Sequence, residues 1–215
     1  MKRLINWFKQ YGYYYKYVFI TLFLAAVVLT IGLVSCLSKK DYDLKVILSG
    51  NFFIYDTEIY AYENMFAELI DDWNGDGEVT VQVMGLSTDT GNAKLNYSYS
   101  QRFQAEVMTG EVLLFITDED KYKLLDDAGG VADASALLPE GYSESSYFRF
   151  SESAFAQKVR DEYRRLCGDM EPPTVMPDGL RMYMRSAADD AAENPEYLEK
   201  YDRVADLFKR IAAQG

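Results

Sequence analysis

The sequence predicts an α/β protein: a single N-terminal transmembrane helix, then one doubly wound α/β domain of about four to five strands. Three observations carry that expectation. Residues 18–37, "VFITLFLAAVVLTIGLVSCL", run twenty residues without a charge. Beyond residue 42, stretches of period-two apolar alternation take turns with stretches of helical period, the order of a sheet wound on both faces. Of the two cysteines, Cys36 lies in the apolar run and Cys167 far downstream, so the body has no disulfide framework and a buried core must hold it together.

The apolar run is long enough to cross a membrane. Twenty residues at helical rise span about 30 Å, the thickness of the hydrocarbon core. Thirteen of the twenty are Leu, Ile, Val or Phe, contributing about −4 to −8 kcal/mol to insertion. Residues 1–17 are read as a cytoplasmic segment. They hold four basic residues and "YGYYYKY" (11–17), whose five tyrosines suit the headgroup level. Residues 38–42 read as a linker and 43–215 as an extracellular body. The expected place is the cell membrane, spanned once with the N-terminus cytoplasmic. A second reading stands beside it. Leu33-Val34-Ser35-Cys36 has the form at which bacterial lipoproteins are cut and acylated, which would make the chain a cleaved lipoprotein subunit of an importer. Against this, the stretch before the run and the run itself are long for a signal peptide.

The body follows in order. "DLKVILSG" (43–50) alternates as a strand, with Leu44, Val46 and Leu48 on one face and Ile47 on the other. "NFFIYDT" is a loop in which Asp56 or Thr57 can cap the next helix. Ile59, Tyr62, Phe66, Leu69, Ile70 and Trp73 keep helical spacing, so a helix is expected over 58–73. "VTVQVMGL" (79–86) is a second strand, and the polar "STDTGNAKLNYSYS" a loop. Ser98 and Gln101 form a capping box for a helix over 99–109, with Phe103, Val107 and Met108 inward and Gly110 as its stop. "EVLLFITD" (111–118) is a third, central strand. A short helix over 119–127, an edge strand over 146–151, a helix over 153–167 and a strand over 180–186 come next. The last helix opens on Asn194-Pro195, a cap with first-turn proline. Its core face runs Tyr197, Leu198, Tyr201, Val204, Leu207, Phe208 and Ile211, and Glu199–Arg203 and Asp206–Arg210 support the other face.

Charge and composition exclude several functions. Residues 1–40 carry six Lys and Arg and no acid; the other 175 carry the remaining 16 basic residues and all 34 acids, a balance of −18. Such a body repels phosphate backbones, so no nucleic-acid partner is expected. The chain has no histidine, which removes Ser-His-Asp and Cys-His catalysis and His-containing zinc sites. No catalytic residue, metal or cofactor is therefore assigned, and Cys167 reads as a small buried residue. "DDWNGDGEV" (71–79) opens like a calcium loop with Asp72, Asn74 and Asp76. Its twelfth position, however, is Val83 instead of a carboxylate. The stretch reads as a helix-to-strand turn, with weak calcium binding at Asp72, Asn74 and Asp76 as the alternative.

The pattern resembles the first lobe of type 2 periplasmic, or extracellular solute-binding, proteins of bacterial importers. The stretches that carry the resemblance are "DLKVILSG" and the helix after it, "GEVTVQVMGL", "QRFQAEVMTGEVLLFITDE", "LPEG", "LRMYMRS" and "YDRVADLFKRIAA". Met108-Thr109-Gly110 leading into Val112–Asp118 is similar to that family's helix-to-buried-strand passage. The basic, tyrosine-rich front is similar to that of small membrane-anchored proteins of Firmicutes. The resemblance implies a non-catalytic, membrane-tethered body that binds a small ligand weakly or docks an envelope partner such as an importer permease. The chain departs from the family in length: about 30 residues separate the segment near 150 from the strand at 180, room for one helix and a loop but not for a second lobe. A structural scaffold with an acidic extracellular spacer is the other reading.

Ligands of such sheets sit at the carboxyl ends of the strands. The candidate ligand-binding residues are therefore Asn51, Phe53 and Tyr55 after the first strand, Tyr97 beyond the second, with Tyr99 beside it, and Asp118 after the third. The aromatic rings could stack on a sugar or peptide, and Asn51 and Asp118 could hydrogen-bond it.

Overall fold

The computed structural model describes residues 15, 17, 18, 20–30, 41–139, 142, 146–168, 170, 176–187 and 194–214. The chain divides into two compact units, Met1–Asp41 and Tyr42–Gly215.

In the first unit, residues 20–30 are helical and exposed all round, among them Leu22, Phe23, Val28 and Leu29. Two hydroxyls fold back on this helix. Thr21 donates to the Tyr17 carbonyl at 2.8 Å and Thr30 to the Ala26 carbonyl at 2.7 Å, so neither hydroxyl donor is left unmet. Among the described residues no helix is long and apolar enough to cross a membrane. Residues 31–37 of the expected span, Cys36 and the first fourteen residues lie outside those described.

The second unit is a mixed α/β domain. Its elements run β1 (Leu44–Gly50), α1 (Asp56–Ala67), β2 (Val81–Ser87), α2 (Ala93–Thr109), β3 (Leu114–Thr117), α3 (Glu119–Asp127), β4 (Phe148–Arg149), a 3-10 turn (Phe150–Glu152), α4 (Ala154–Cys167), β5 (Arg181–Met184) and α5 (Pro195–Ala212). The five strands lie in the order β2-β1-β3-β5-β4. β1 is parallel to both β2 and β3, with Val46 opposite Val83 and Leu114. β5 is antiparallel to β3 and β4, so Met182 faces Ile116 and Phe148.

Period-two alternation sorts the sheet's side chains into two cores. Val46, Leu48, Leu114, Ile116, Met182 and Met184 pack with α1, α4 and α5 around Phe66, Phe155 and Phe208. Ile47, Met84, Leu86, Phe115 and Tyr183 pack with Phe103 of α2 and Tyr122 and Leu125 of α3. Both faces of the sheet are thus covered by helices. On the second face the Phe115 and Tyr183 rings stack at 5.4 Å, an arrangement that adds to simple burial.

Several boundaries differ from the sequence reading, each for a local reason. α1 ends at Ala67 instead of 73. Leu69 N already bonds the Phe66 carbonyl at 2.9 Å, a tightened last turn. The amides of Trp73 and Asn74 then find the Asp43 carboxylate instead of helical carbonyls. Ile70 and Trp73 still pack on the core from outside the helix. The cap of α1 is Tyr55, without a side-chain bond, and not Asp56 or Thr57. β2 starts two residues late, because Thr80 is held by Asp43. β3 is shorter than 111–118, although Val112 and Leu113 are buried.

The largest correction is α2. It begins at Ala93, six residues before the expected start, because Asn92 caps it by accepting from the Lys94 and Leu95 amides at 3.0 and 3.3 Å. The Ser98 capping box is therefore mid-helix. Met108, expected inward, is 84% exposed, and Leu198 of α5, expected in the core, is 39% exposed. Of the two expected pairs on α5, Arg203 bonds Glu199. α2 ends as expected at Gly110, whose φ of 74° is left-handed. Gly110→Ala is expected to cost about 1 kcal/mol, read as a fall in the urea midpoint.

Candidate functional site

At β1 the chain's path across the sheet switches sides. From β1 it passes through α1 to β2 on one side, then through α2 back across to β3 on the other side. α1 and α3 leave from neighbouring strands toward opposite faces. The segments that follow the paired ends of β1 and β3 therefore part toward opposite faces, the position at which open α/β sheets commonly bind ligands.

Hydrogen bonds tie the two strand ends into a fixed floor. Asn51 N donates to Asp118 Oδ2 at 2.7 Å, and Asp118 N donates to the Ser49 carbonyl at 3.3 Å. Asp118 Oδ1 accepts from Lys121 N at 3.0 Å and so caps α3. From β2, Thr88 donates to the Gly50 carbonyl through both its amide, at 2.9 Å, and its hydroxyl, at 3.1 Å. The Ser87 hydroxyl donates to the Phe52 carbonyl. Gly50 permits this closeness: a Cβ there would sit 2.3 Å from the Phe52 ring and 2.9 Å from Asp118 Oδ2.

The loop that follows β1 carries two aromatic rings. Phe53 and Tyr55 lie 4.5 Å apart at 53°. Phe53 is 43% exposed, and Asn51 is exposed beside it. The structure thus brings Asn51 together with Asp118, and Phe53 with Tyr55. Tyr97, on the second turn of α2, is 67% exposed and makes no ring contact with either among the described residues. Tyr99 packs against the second core. Asp118 spends a bond from each carboxylate oxygen on the fold. The edge therefore offers stacking faces and the Asn51 amide to a ligand, over a fixed floor.

Two residues that sequence reasoning passed over belong to this end of the sheet. Arg181 opens the antiparallel β5 opposite Thr117. Its guanidinium lies 4.5 Å from the Tyr147 ring and 5.0 Å from the Tyr122 ring, with Glu119 at 3.4 Å. Only the strand order reveals this, since "LRMYMRS" by itself says strand and no more. Glu58, in the first turn of α1, is 3% exposed. Burial pushes its carboxyl up to about 7, against the opposing bond from the Tyr55 amide. A glutamate three residues after Tyr55 is the capping-box position, and that was the available signal. Being buried, Glu58 supports the loop from beneath and does not meet a ligand.

The 71–79 stretch forms a turn in which side-chain oxygens accept backbone amides. Asp72 takes Gly75 N at 2.6 Å and Gly77 N at 2.7 Å; Asn74 takes Asp76 N, and Asp76 takes Glu78 N, both at 2.9 Å. Gly75 and Gly77 have positive φ. Among the described residues no group of three or more acids or cysteines is placed to hold a metal ion. Cys167 is a free thiol within the first core.

No protein-family model, curated protein or solved structure matches the chain. The site therefore rests on its own geometry.

Proposed function

We propose that the chain is a membrane-tethered, non-catalytic binding module of the solute-binding type, whose body faces outward. It would hold a small ligand, a sugar or peptide, at the carboxyl edge of its sheet. The observation that carries this reading is the parting of the chain toward opposite faces after the paired strands β1 and β3, with the Phe53 ring exposed on the loop there beside the half-buried Tyr55. The resemblance of its sequence pattern to one lobe of type 2 solute-binding proteins agrees with it. So does the apolar run at 18–37, of which residues 20–30 form a helix whose side chains are exposed on every side; a helix apolar all round belongs in an apolar surround. A single lobe leaves water on one side of the ligand, so affinity should be micromolar or weaker.

The test uses the full chain in lipid nanodiscs with a panel of oligosaccharides and tripeptides, read by calorimetry. The expected result is weak saturable binding that falls about tenfold in a Phe53→Ala, Tyr55→Ala double variant whose unfolding midpoint is nearly unchanged. Nanomolar affinity, or binding indifferent to both rings, would contradict the proposal.

A further inference from the structure

A separate cavity of about 420 Å³ lies between α2 and α3. Its apolar walls are Phe103, Val107 and Met108 from α2 and Leu124 and Leu125 from α3, and among the described residues Arg185, just past β5, is the one charged side chain that lines it. Met108 and Leu124 are 84% and 50% exposed, so two large apolar groups flank an open cleft on a strongly acidic body. The volume is within the range of small-molecule sites, and mostly apolar walls with one well-placed polar group are their usual make-up.

Arg185 is held in position. Its guanidinium donates to the Val107 carbonyl and rests over Gly110, where an added Cβ would be 3.7 Å away. Its amide bonds the Leu113 carbonyl at 2.9 Å, and the next residue, Ser186, bonds Gly130 at 2.9 Å. Among the described residues no carboxylate forms an ion pair with it. A cation set among apolar walls favours a carboxylate partner, which a guanidinium fork can grip through two parallel bonds.

We propose that this groove binds a small monoanionic amphiphile: an aromatic or short aliphatic carboxylate with its apolar part between Met108 and Leu124 and its carboxylate on Arg185. The body's balance of −18 turns polyanions away and leaves a compact single charge as the acceptable anion. The groove shares no residue with the Asn51–Phe53–Tyr55 edge, so the two sites stand or fall separately.

The test is titration of the full chain in nanodiscs with 2-naphthoate and with its neutral analogue 2-naphthamide, empty nanodiscs serving as the blank. The expected result is saturable naphthoate binding, weakened about tenfold or more for the amide and in Arg185→Gln, and unchanged in the Phe53→Ala, Tyr55→Ala variant. If Arg185→Gln does not fold, the acid–amide pair on the unaltered chain decides. No saturable signal above the blank, equal binding of acid and amide, or loss of binding in the Phe53, Tyr55 variant would overturn the proposal.

Discussion

Asp43→Ala is expected to lower the unfolding free energy of the body by about 3 kcal/mol or more. Asp43 is 3% exposed and accepts from Trp73 N at 2.7 Å, Asn74 N at 2.8 Å and Thr80 N at 2.6 Å, with the Thr80 hydroxyl at 3.1 Å. Alanine would leave three amides without an acceptor at the point where the turn after α1 meets the start of β2. Burial alone would raise this carboxyl's pKa, but the bonds from Thr80, Asn74 and Trp73 outweigh it and the net shift is downward. Its contribution is therefore present above the ordinary value of 3.8 and fades as pH falls below it. Asp72→Ala, at the more exposed end of the same turn, should cost much less. Urea titration of both variants in nanodiscs checks the order; equal losses would mean that Asp43 is not the clamp of this turn.

Glu58→Gln is expected to stabilise the body at pH 8 by about 3 kcal/mol, the cost of a carboxyl held near 7 instead of 4.5. Below 4.5 the group is protonated in both folded and unfolded chains and costs nothing. Between 4.5 and 7 the folded chain keeps a proton that the unfolded chain releases, so stability falls as pH rises. Above 7 both states are ionised and the loss is complete. Glutamine keeps an acceptor for the Tyr55 amide and has no such dependence. Tyr62, one turn on and itself buried, and Arg160 from α4 are the other ionisable groups of this pocket. Unfolding midpoints at pH 4.5, 6 and 8 should show a falling line for the natural chain and a flatter one for the variant. Parallel lines would remove Glu58 from the account. With Asp43 limiting the acid side and Glu58 the neutral side, the body should be most stable in mildly acidic solution.

What could be read from the residues alone was what local chemistry decides. The alternation of "DLKVILSG" marked β1, the Asn194-Pro195 cap marked the start of α5, and Asp118 followed by acids marked α3. What failed was decided by competition or by distant pairing. α1 stops six residues short of its expected end because Asp43, thirty residues away from Trp73 in sequence, offers the amides there a better acceptor. α2 gained a turn and a half because a cap at Asn92 outweighs a polar composition that reads as loop, and its outer face was polar simply because one residue, Phe103, is buried. That Asn51 and Asp118 lie at one edge of the sheet was legible because both follow parallel strands, but the bond between them was not. Tyr97 drops away from the ring pair because its segment is helix. Arg181 and the Arg185 groove could not be seen, since they depend on β5 lying antiparallel beside β3 and on α2 and α3 meeting, whereas Glu58 carried a signal in its capping-box spacing from Tyr55 but its burial depends on distant packing.

An outward-facing body on a membrane tether should be open to protease in intact cells. Proteinase K added to intact cells should degrade residues 43–215 while leaving a short N-terminal fragment with the apolar run. A body untouched in intact cells, yet lost once they are permeabilised, would place it on the cytoplasmic side and contradict the claim.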